Sequence, residues 1–264
     1  MSWTDQVEAV DPPVYDDRAD YPPRIWWYNG VKQARTPGVF FTKLDEHPGP
    51  LPAPWTNSNR YDEAAYETPQ LRVALIGQRQ TPFTNETDAA GQRRRHYVPK
   101  WQPGAQIYNE WLCFVEGLDY PCVLCSKGLT GKALAGVLKA YRAGVLKPAE
   151  RIAQRNLPLW SFWMPIAGMT DKGKPVYADT GFGSFVTPPE LKLPDLAEAQ
   201  LTEALFVGPD LLALGVDVRN EYDAWLKEKR VDVEGETAAN GAPALDELPP
   251  PELTEGYDEI PWSQ

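Results

Sequence analysis

The sequence predicts a mainly β fold. Three observations carry that expectation. Short runs rich in β-branched and aromatic residues recur between turn signals, proline at 27 of 264 residues is about twice its usual share, and helical periodicity is confined to two stretches. With 42% apolar residues the chain can build a real core.

The elements follow in chain order. Residues 1–21, with Pro12, Pro13 and scattered acids, read as an irregular acidic leader. Arg24 to Tyr28 (RIWWY) is strand-like and stops at Asn29-Gly30; Gly38 to Leu44 (GVFFTKL) is a second such run, ending near His47-Pro48. Residues 48–70 hold Pro48, Pro50, Pro52, Pro54 and Pro69 and read as a loop. Leu71 to Ile76 (LRVALI) has the length and apolarity of a strand buried on both faces. Residues 77–105 form a polar excursion too long for an idle connection.

Gln106 to Glu116 and Tyr120 to Ser126 then form a hairpin through Gly117-Leu118-Asp119. From Thr130, a candidate N-cap, Leu134, Val137, Leu138 and Tyr141 repeat at helical spacing up to Gly144, and a shorter helix fits Pro148 to Gln154. Leu157 to Ile166 and Val176 to Val186 close the body as strands, the second bulged at Gly181 and Gly183. Residues 196–230 read as one or two amphipathic helices broken near Gly208-Pro209, which could mediate a homo-oligomer or cover one end of the body. Beyond Val231 come nine acids, no Lys or Arg, and Pro249-Pro250-Pro251, too polar to offset the entropy of ordering.

Several strands, one or two helices and a closing pair of strands suit an OB-type five-stranded Greek-key barrel with long loops, C-terminal helices and a disordered acidic tail. Greek-key sandwiches give the same pattern and stay open. The division is a leader at 1–21, an OB-type nucleic-acid-binding domain at 22–187, a helical appendage at 188–230 and a tail at 231–264.

Charge is segregated along this plan. The net charge of -11 hides a leader (1–20) at -5, a C-terminal part (188–264) at -13 and a middle (21–187) at +7. A basic body with acidic ends points to a domain that binds a polyanion and a tail that meets other partners.

The basic residues are interleaved with aromatics. Arg93-Arg94-Arg95-His96-Tyr97-Val98-Pro99-Lys100-Trp101 puts four Lys/Arg and two aromatic rings on one stretch, with Arg79 beside it and Lys32 and Arg35 in another loop. Single-strand binders need that pairing, because cations track phosphates while ring faces stack on unpaired bases for roughly 1–3 kcal/mol each. A solvated loop whose arginines pair with Glu86 and Asp88 is the alternative. Trp26, Tyr28, Phe41, Trp111 and Trp163 are further stacking candidates. In doublets such as Trp26-Trp27 and Phe40-Phe41 neighbouring rings face opposite sides of a strand, so each doublet sends one ring away from the core.

Other chemistry is thin. Cys122-Val-Leu-Cys125 has zinc-like spacing, yet it lies in an apolar strand where positions three apart face opposite ways, so buried thiols and no metal are expected. Gly128-Leu129-Thr130-Gly131-Lys132 is half a phosphate loop, lacking Gly at 126 and Ser or Thr at 133, although a helix N-terminus with Lys132 could hold a backbone phosphate. With His47 and His96 as the only histidines and no GxSxG, a binding protein without cofactor is expected rather than an enzyme. No apolar run reaches the roughly 20 residues of a membrane helix. The opening MSWTDQVEAVDPP lacks signal-peptide character, and three cysteines suit a reducing compartment, so a cytoplasmic protein is expected.

The last residues, Tyr257-Asp258-Glu259-Ile260-Pro261-Trp262, resemble the acidic tip of bacterial and phage single-stranded DNA-binding proteins, in which aspartates precede Ile-Pro-Phe. The resemblance implies a sequence-independent binder, of the divergent phage-like kind, in a bacterial or phage-infected cell. Asp258, Glu259, Ile260, Pro261 and Trp262 would then recruit replication and recombination proteins. Trp262 replaces the family's phenylalanine, and Ser263 and Gln264 displace the terminal carboxylate from the aromatic residue. A structural or interaction protein of virion type and a DNA-mimic inhibitor remain as alternatives; neither explains the +7 body.

Overall fold

Strand pairing, rather than helix packing, organises the chain. A computed structural model describes residues 22–58, 64–87, 93–98, 100–179 and 185–227. The leader at 1–21 and the tail at 231–264, with the tip Asp258, Glu259, Ile260, Pro261 and Trp262, lie outside the described residues.

The N-terminal strands are β1 (Arg24–Tyr28), β2 (Val39–Lys43), β3 (Thr56–Ser58), β4 (Ala65–Thr68), β5 (Gln70–Thr87), β6 (Arg93–Tyr97), β7 (Gln106–Val115) and β8 (Pro121–Lys127). Helices α1 (Gly128–Tyr141) and α2 (Lys147–Ala153) follow, joined by a π-helical turn at Arg142–Leu146. Then come β9 (Met164–Gly168), β10 (Thr170–Asp171), β11 (Lys174–Pro175), β12 (Ala178–Asp179), β13 (Phe185–Val186) and β14 (Pro189–Leu191). Helices α3 (Glu198–Leu205), α4 (Pro209–Glu221) and α5 (Asp223–Lys227) end the described chain.

Ten strands form one mixed sheet in the order β14-β9-β5-β7-β8-β1-β2-β4-β3, with β6 on β5. Among the described residues only β1 with β8 is parallel. The fold is therefore mainly β, as the sequence predicts, but the ladder is open and includes β3, β4 and β14 beyond five strands. The sheet nevertheless curls. The Trp27 indole N–H donates to the Thr187 carbonyl at 2.8 Å, and the Gly30 N–H donates to the Thr187 hydroxyl at 2.9 Å. Thus the segment leading into β14 touches the β1–β2 turn, although four strands separate β14 from β1 in ladder order.

Period-two alternation puts a separate core on each face. On one face Ile25, Trp27, Phe40, Leu71, Val73, Leu75, Trp111, Cys113 and Leu124 pack under Leu134, Val137, Leu138 and Tyr141 of α1. On the other, Ala74, Ile76, Phe83, Tyr108, Leu112, Phe114, Val123 and Cys125 pack with Val218 of α4 and Trp225 of α5. Each large apolar side chain so buried contributes roughly 1.5–3 kcal/mol.

Four sequence expectations change. The polar excursion is mostly structured: β5 runs for 18 residues and pairs with β6. The register shifts between Leu75 and Gly77 of β5, and a Cβ at Gly77 would stand 2.5 Å from Arg219 Nη1 and 2.8 Å from Leu226 Cδ1, so a larger residue there would displace the side-chain ends of α4 and α5. The proline-rich stretch 48–70 contains β3 and β4. The strand expected over 157–166 begins only at Met164, after a 3-10 turn at Leu159–Ser161 that starts from Pro158. Within 176–186 the described residues form only the short pair β12 and β13.

His47 ties β2 to the β7–β8 hairpin. The Thr42 hydroxyl donates its single proton to the Arg24 carbonyl at 2.7 Å, so the His47 Nε2–H donates to Thr42 Oγ1 at 2.7 Å. Nδ1 is then left to accept from the Tyr120 hydroxyl at 2.9 Å. Burial lowers the His47 pKa to about 4, which keeps the ring neutral.

Candidate nucleic-acid interface

The face that carries α4 and α5 also carries a continuous band of aromatic rings. Tyr97 on β6 and Phe83 on β5 are register partners with ring centres 6.3 Å apart. Tyr108 on β7 lies 6.4 Å from both. Across β8, Trp26 on β1 reaches Tyr108 at 6.0 Å, and it can do so because β8 contributes the small Cys125 opposite Trp26. Trp26 is in turn the register partner of Phe41 on β2, whose ring stands edge-on to Tyr28 at 6.3 Å.

Burial divides the band. Phe83, Tyr108 and Phe41 are buried and form its floor, while Trp26, Tyr28 and Tyr97 are half-buried. By strand alternation Arg24, Lys43 and Lys127 share this face, and Lys127 is the register partner of Tyr108.

Basic loops stand beyond both ends of the band. Past Tyr28, the turn to β2 exposes Lys32, whose ammonium lies 3.4 Å from the Phe185 ring centre, and Arg35, at φ 54. At the Tyr97 end, Arg93, Arg94 and Arg95 pair with Thr87, Glu86 and Asn85 through the β5–β6 ladder; their side chains lie outside the described part. Lys100 is exposed, and Trp101 is 56% exposed with its indole N–H held by the Ala105 carbonyl at 3.2 Å.

Three expected contact residues are enclosed. Arg79 is not a loop cation: β5 continues through it, opposite Glu110 on β7, and its Nε donates to Glu110 Oε2 at 2.7 Å. Trp225 covers the pair, with Arg79 4.0 Å from its ring centre and Nη1 donating to its carbonyl at 3.2 Å. Trp111 lies in the opposite core under α1, and Phe41 is 1% exposed. Trp163 is half-buried between the two cores and gives its backbone N–H to the Leu205 carbonyl at 2.7 Å.

Sequence reasoning left Tyr108 and Lys127 out of the site and counted Tyr97 only as a loop aromatic. Alternation alone could pair Trp26 with Tyr28, but joining Tyr97 and Tyr108 to them needs the ladder register.

Cys122 and Cys125 belong to opposite cores, and Cys113 neighbours Cys122 across the hairpin. Burial pushes the Cys113 thiol up to about 12 and raises Cys122 well above its ordinary value, so both stay protonated. Among the described residues no group of three or more His, Cys, Asp or Glu is placed to hold a metal ion, and no helix is long and apolar enough to cross a membrane.

Compared with protein-family models, curated proteins and solved structures, the chain has no match.

Proposed function

We propose that this chain binds single-stranded DNA, largely independently of sequence, and recruits replication or recombination proteins through its C-terminal tip. The observation that carries the first part is the aromatic band on one sheet face with basic loops at both ends. Bases need flat apolar surface and phosphates need cations, and here a band of rings has cations beyond each of its ends. The contacts are stacking by Trp26, Tyr28, Tyr97 and Trp101 and phosphate contacts from Lys32, Arg35, Arg93, Arg94, Arg95 and Lys100. Arg79, Phe41 and Trp111 leave this set because burial denies them to a ligand, and Trp163 leaves it because it packs against both cores away from the band.

An OB-type reading is supported by the central topology. Strands β5, β7 and β8 form an antiparallel meander, α1 follows its third strand, and β9 returns antiparallel to its first. Strand β1, parallel to β8, takes the fifth place from the N-terminal side, and the Trp27 to Thr187 hydrogen bond stands where a ladder would close the barrel. The second and third strands of such a barrel and the loop between the first and second bind oligonucleotides; here those are β7, β8 and the β6-bearing connection. The tip reading rests on the resemblance of Asp258, Glu259, Ile260, Pro261 and Trp262 alone.

The test is affinity for oligo-dT against salt. The log-log slope should be near -0.7 for each phosphate neutralised, and absence of binding at about 50 mM salt would sink the reading.

A further inference from the structure

Most of the body's excess positive charge lies away from the aromatic band. Residues 128–156 hold six Lys/Arg, namely Lys132, Lys139, Arg142, Lys147, Arg151 and Arg155, against the single acid Glu150, a net +5 of the +7 counted for 21–187. They sit on α1, α2 and the turn just past them, on the sheet face opposite the band.

These segments are one unbroken helix. Tyr141, Arg142, Leu146 and Lys147 all keep right-handed helical angles, and the helix ends only at Gln154, whose φ of 53 and ψ of 32 are left-handed. The π turn inserts one extra residue, marked by the Lys147 N–H donating to the Arg142 carbonyl five residues back. That insertion aligns the cations. Lys132 and Lys139, two turns apart, stand within about 20° of each other around the axis. In an uninterrupted α-helix Lys147 and Arg151 would stand about 80° and about 120° from Lys139; the insertion turns both back by about 100°, to within about 20° of it. All four are exposed, while Leu134, Leu138, Tyr141, Leu146 and Ala149 of the same helix are buried in the core.

Two further observations say what this row can hold. Among the described residues Lys132, Lys139 and Lys147 make no ion pair, and Arg151 meets Glu198 of α3 at 3.2 Å with both side chains exposed, so the row's charge faces solvent. The row also carries no ring: in residues 128–156 Tyr141 is the sole aromatic, and it is enclosed in the core with its hydroxyl donating to the Phe162 carbonyl at 3.0 Å. Cations without ring faces hold phosphates and leave bases alone. A single strand, whose bases seek stacking, gains more on the band; duplex DNA has its bases already stacked and offers its backbone. The row runs roughly 28 Å along a stiff helix, and duplex DNA, with a persistence length of about 150 base pairs, is straight over that distance.

We propose that the row of Lys132, Lys139, Lys147 and Arg151 is a second nucleic-acid surface that takes the phosphate backbone of duplex DNA, so that the chain seats a junction between single strand and duplex, with the strand on the band and the duplex on α1 and α2. The single-strand half rests on the nucleic-acid reading above; the duplex half stands on the row itself.

The experiment compares the full chain with Lys139→Gln/Lys147→Gln and with the charge-keeping Lys139→Arg/Lys147→Arg, on labelled oligo-dT, on a blunt duplex and on the same duplex with a dT tail. Wild type should bind the tailed duplex more tightly than either part alone, as linked sites do. The Gln variant should bind duplex at least roughly tenfold more weakly at about 50 mM salt, with the salt slope flattened by about 1.8, and should lose the advantage of the tailed duplex. Its oligo-dT affinity should stay within about twofold of wild type, and the Arg variant should bind all three as wild type does. Thermal midpoints should hold, since both lysines are exposed and glutamine is as good a helix former.

If wild type binds oligo-dT and the Gln variant binds duplex as wild type does, the row is overturned and the nucleic-acid reading survives. If the Gln variant loses duplex binding but wild type does not bind oligo-dT, the row stands and the single-strand reading fails. If wild type binds neither, both fail. A peptide of residues 231–264 bound by wild type and lost by the Gln variant, with duplex binding unchanged, would give the row to the acidic tail and overturn the proposal.

Discussion

Arg79 and Glu110 face each other across β5 and β7, 2.7 Å from Nε to Oε2, with side chains 5% and 1% exposed beneath the Trp225 ring. The pair fastens α5 to the same sheet face that carries the aromatic band.

Breaking it should unfold rather than unbind. Arg79→Ala leaves the Glu110 charge buried without its partner, for an expected loss of about 3–5 kcal/mol in chemical denaturation. Replacing both by apolar residues, Arg79→Met with Glu110→Leu, should restore most of that stability. Oligo-dT affinity of the folded Arg79→Ala protein should be retained; a large loss would return Arg79 to the contact set.

Acid should weaken the fold through His47. Burial holds the folded ring's pKa at about 4 against 6.5 for the free group, so the unfolded chain takes up a proton that the folded chain refuses. This contribution is complete above pH 6.5 and is lost as pH falls toward 4, on the order of 3 kcal/mol. Glu46, whose pKa burial raises, acts with the opposite sign, retaining its proton in the folded state to higher pH. Urea denaturation of wild type and His47→Gln at pH 7 and pH 4.5 isolates the histidine. The stability difference between the two proteins should shrink markedly at the lower pH; an unchanged difference would exclude the buried neutral ring.

Removing residues 231–264 takes away nine acids and the tip. Both the tail and DNA are polyanions, so they compete for the same basic surface. The truncated chain should bind oligo-dT more tightly at low salt and lose its capture of replication and recombination proteins. Weaker DNA binding after truncation would show that the tail supports the interface instead.

How much of this was legible in the residues depends on where periodicity speaks. RIWWY, GVFFTKL and the β7–β8 hairpin announce themselves by β-branched and aromatic content, and α1 by the spacing from Leu134 to Tyr141. The second half of β5 is silent, since Gln78-Arg79-Gln80-Thr81 is polar and its strand character comes from pairing with Tyr108 to Trp111 of β7. Arg79 therefore reads as a loop cation in the sequence, although its partner Glu110 stands within the strand-like run Gln106 to Glu116. Aromatic doublets show that one ring points away from the other but not which core each enters. Trp111 entered the α1 core, while Phe41 joined the band yet became its floor. Trp26 and Tyr28 keep an accessible margin, since both are half-buried on β1.

The central claim is that the aromatic band stacks on single strands. The most direct test is the affinity of Trp26→Ala and Tyr97→Ala for labelled oligo-dT and for duplex DNA, beside Trp111→Ala as a buried control. Loss of one stacked ring should cost about 1–3 kcal/mol, roughly 5- to 150-fold in affinity, measured below the lowered thermal midpoint where the variants stay folded, and with duplex bound more weakly than single strand throughout. Wild-type affinity in Trp26→Ala and Tyr97→Ala, or equal binding of duplex and single strand, would contradict the account.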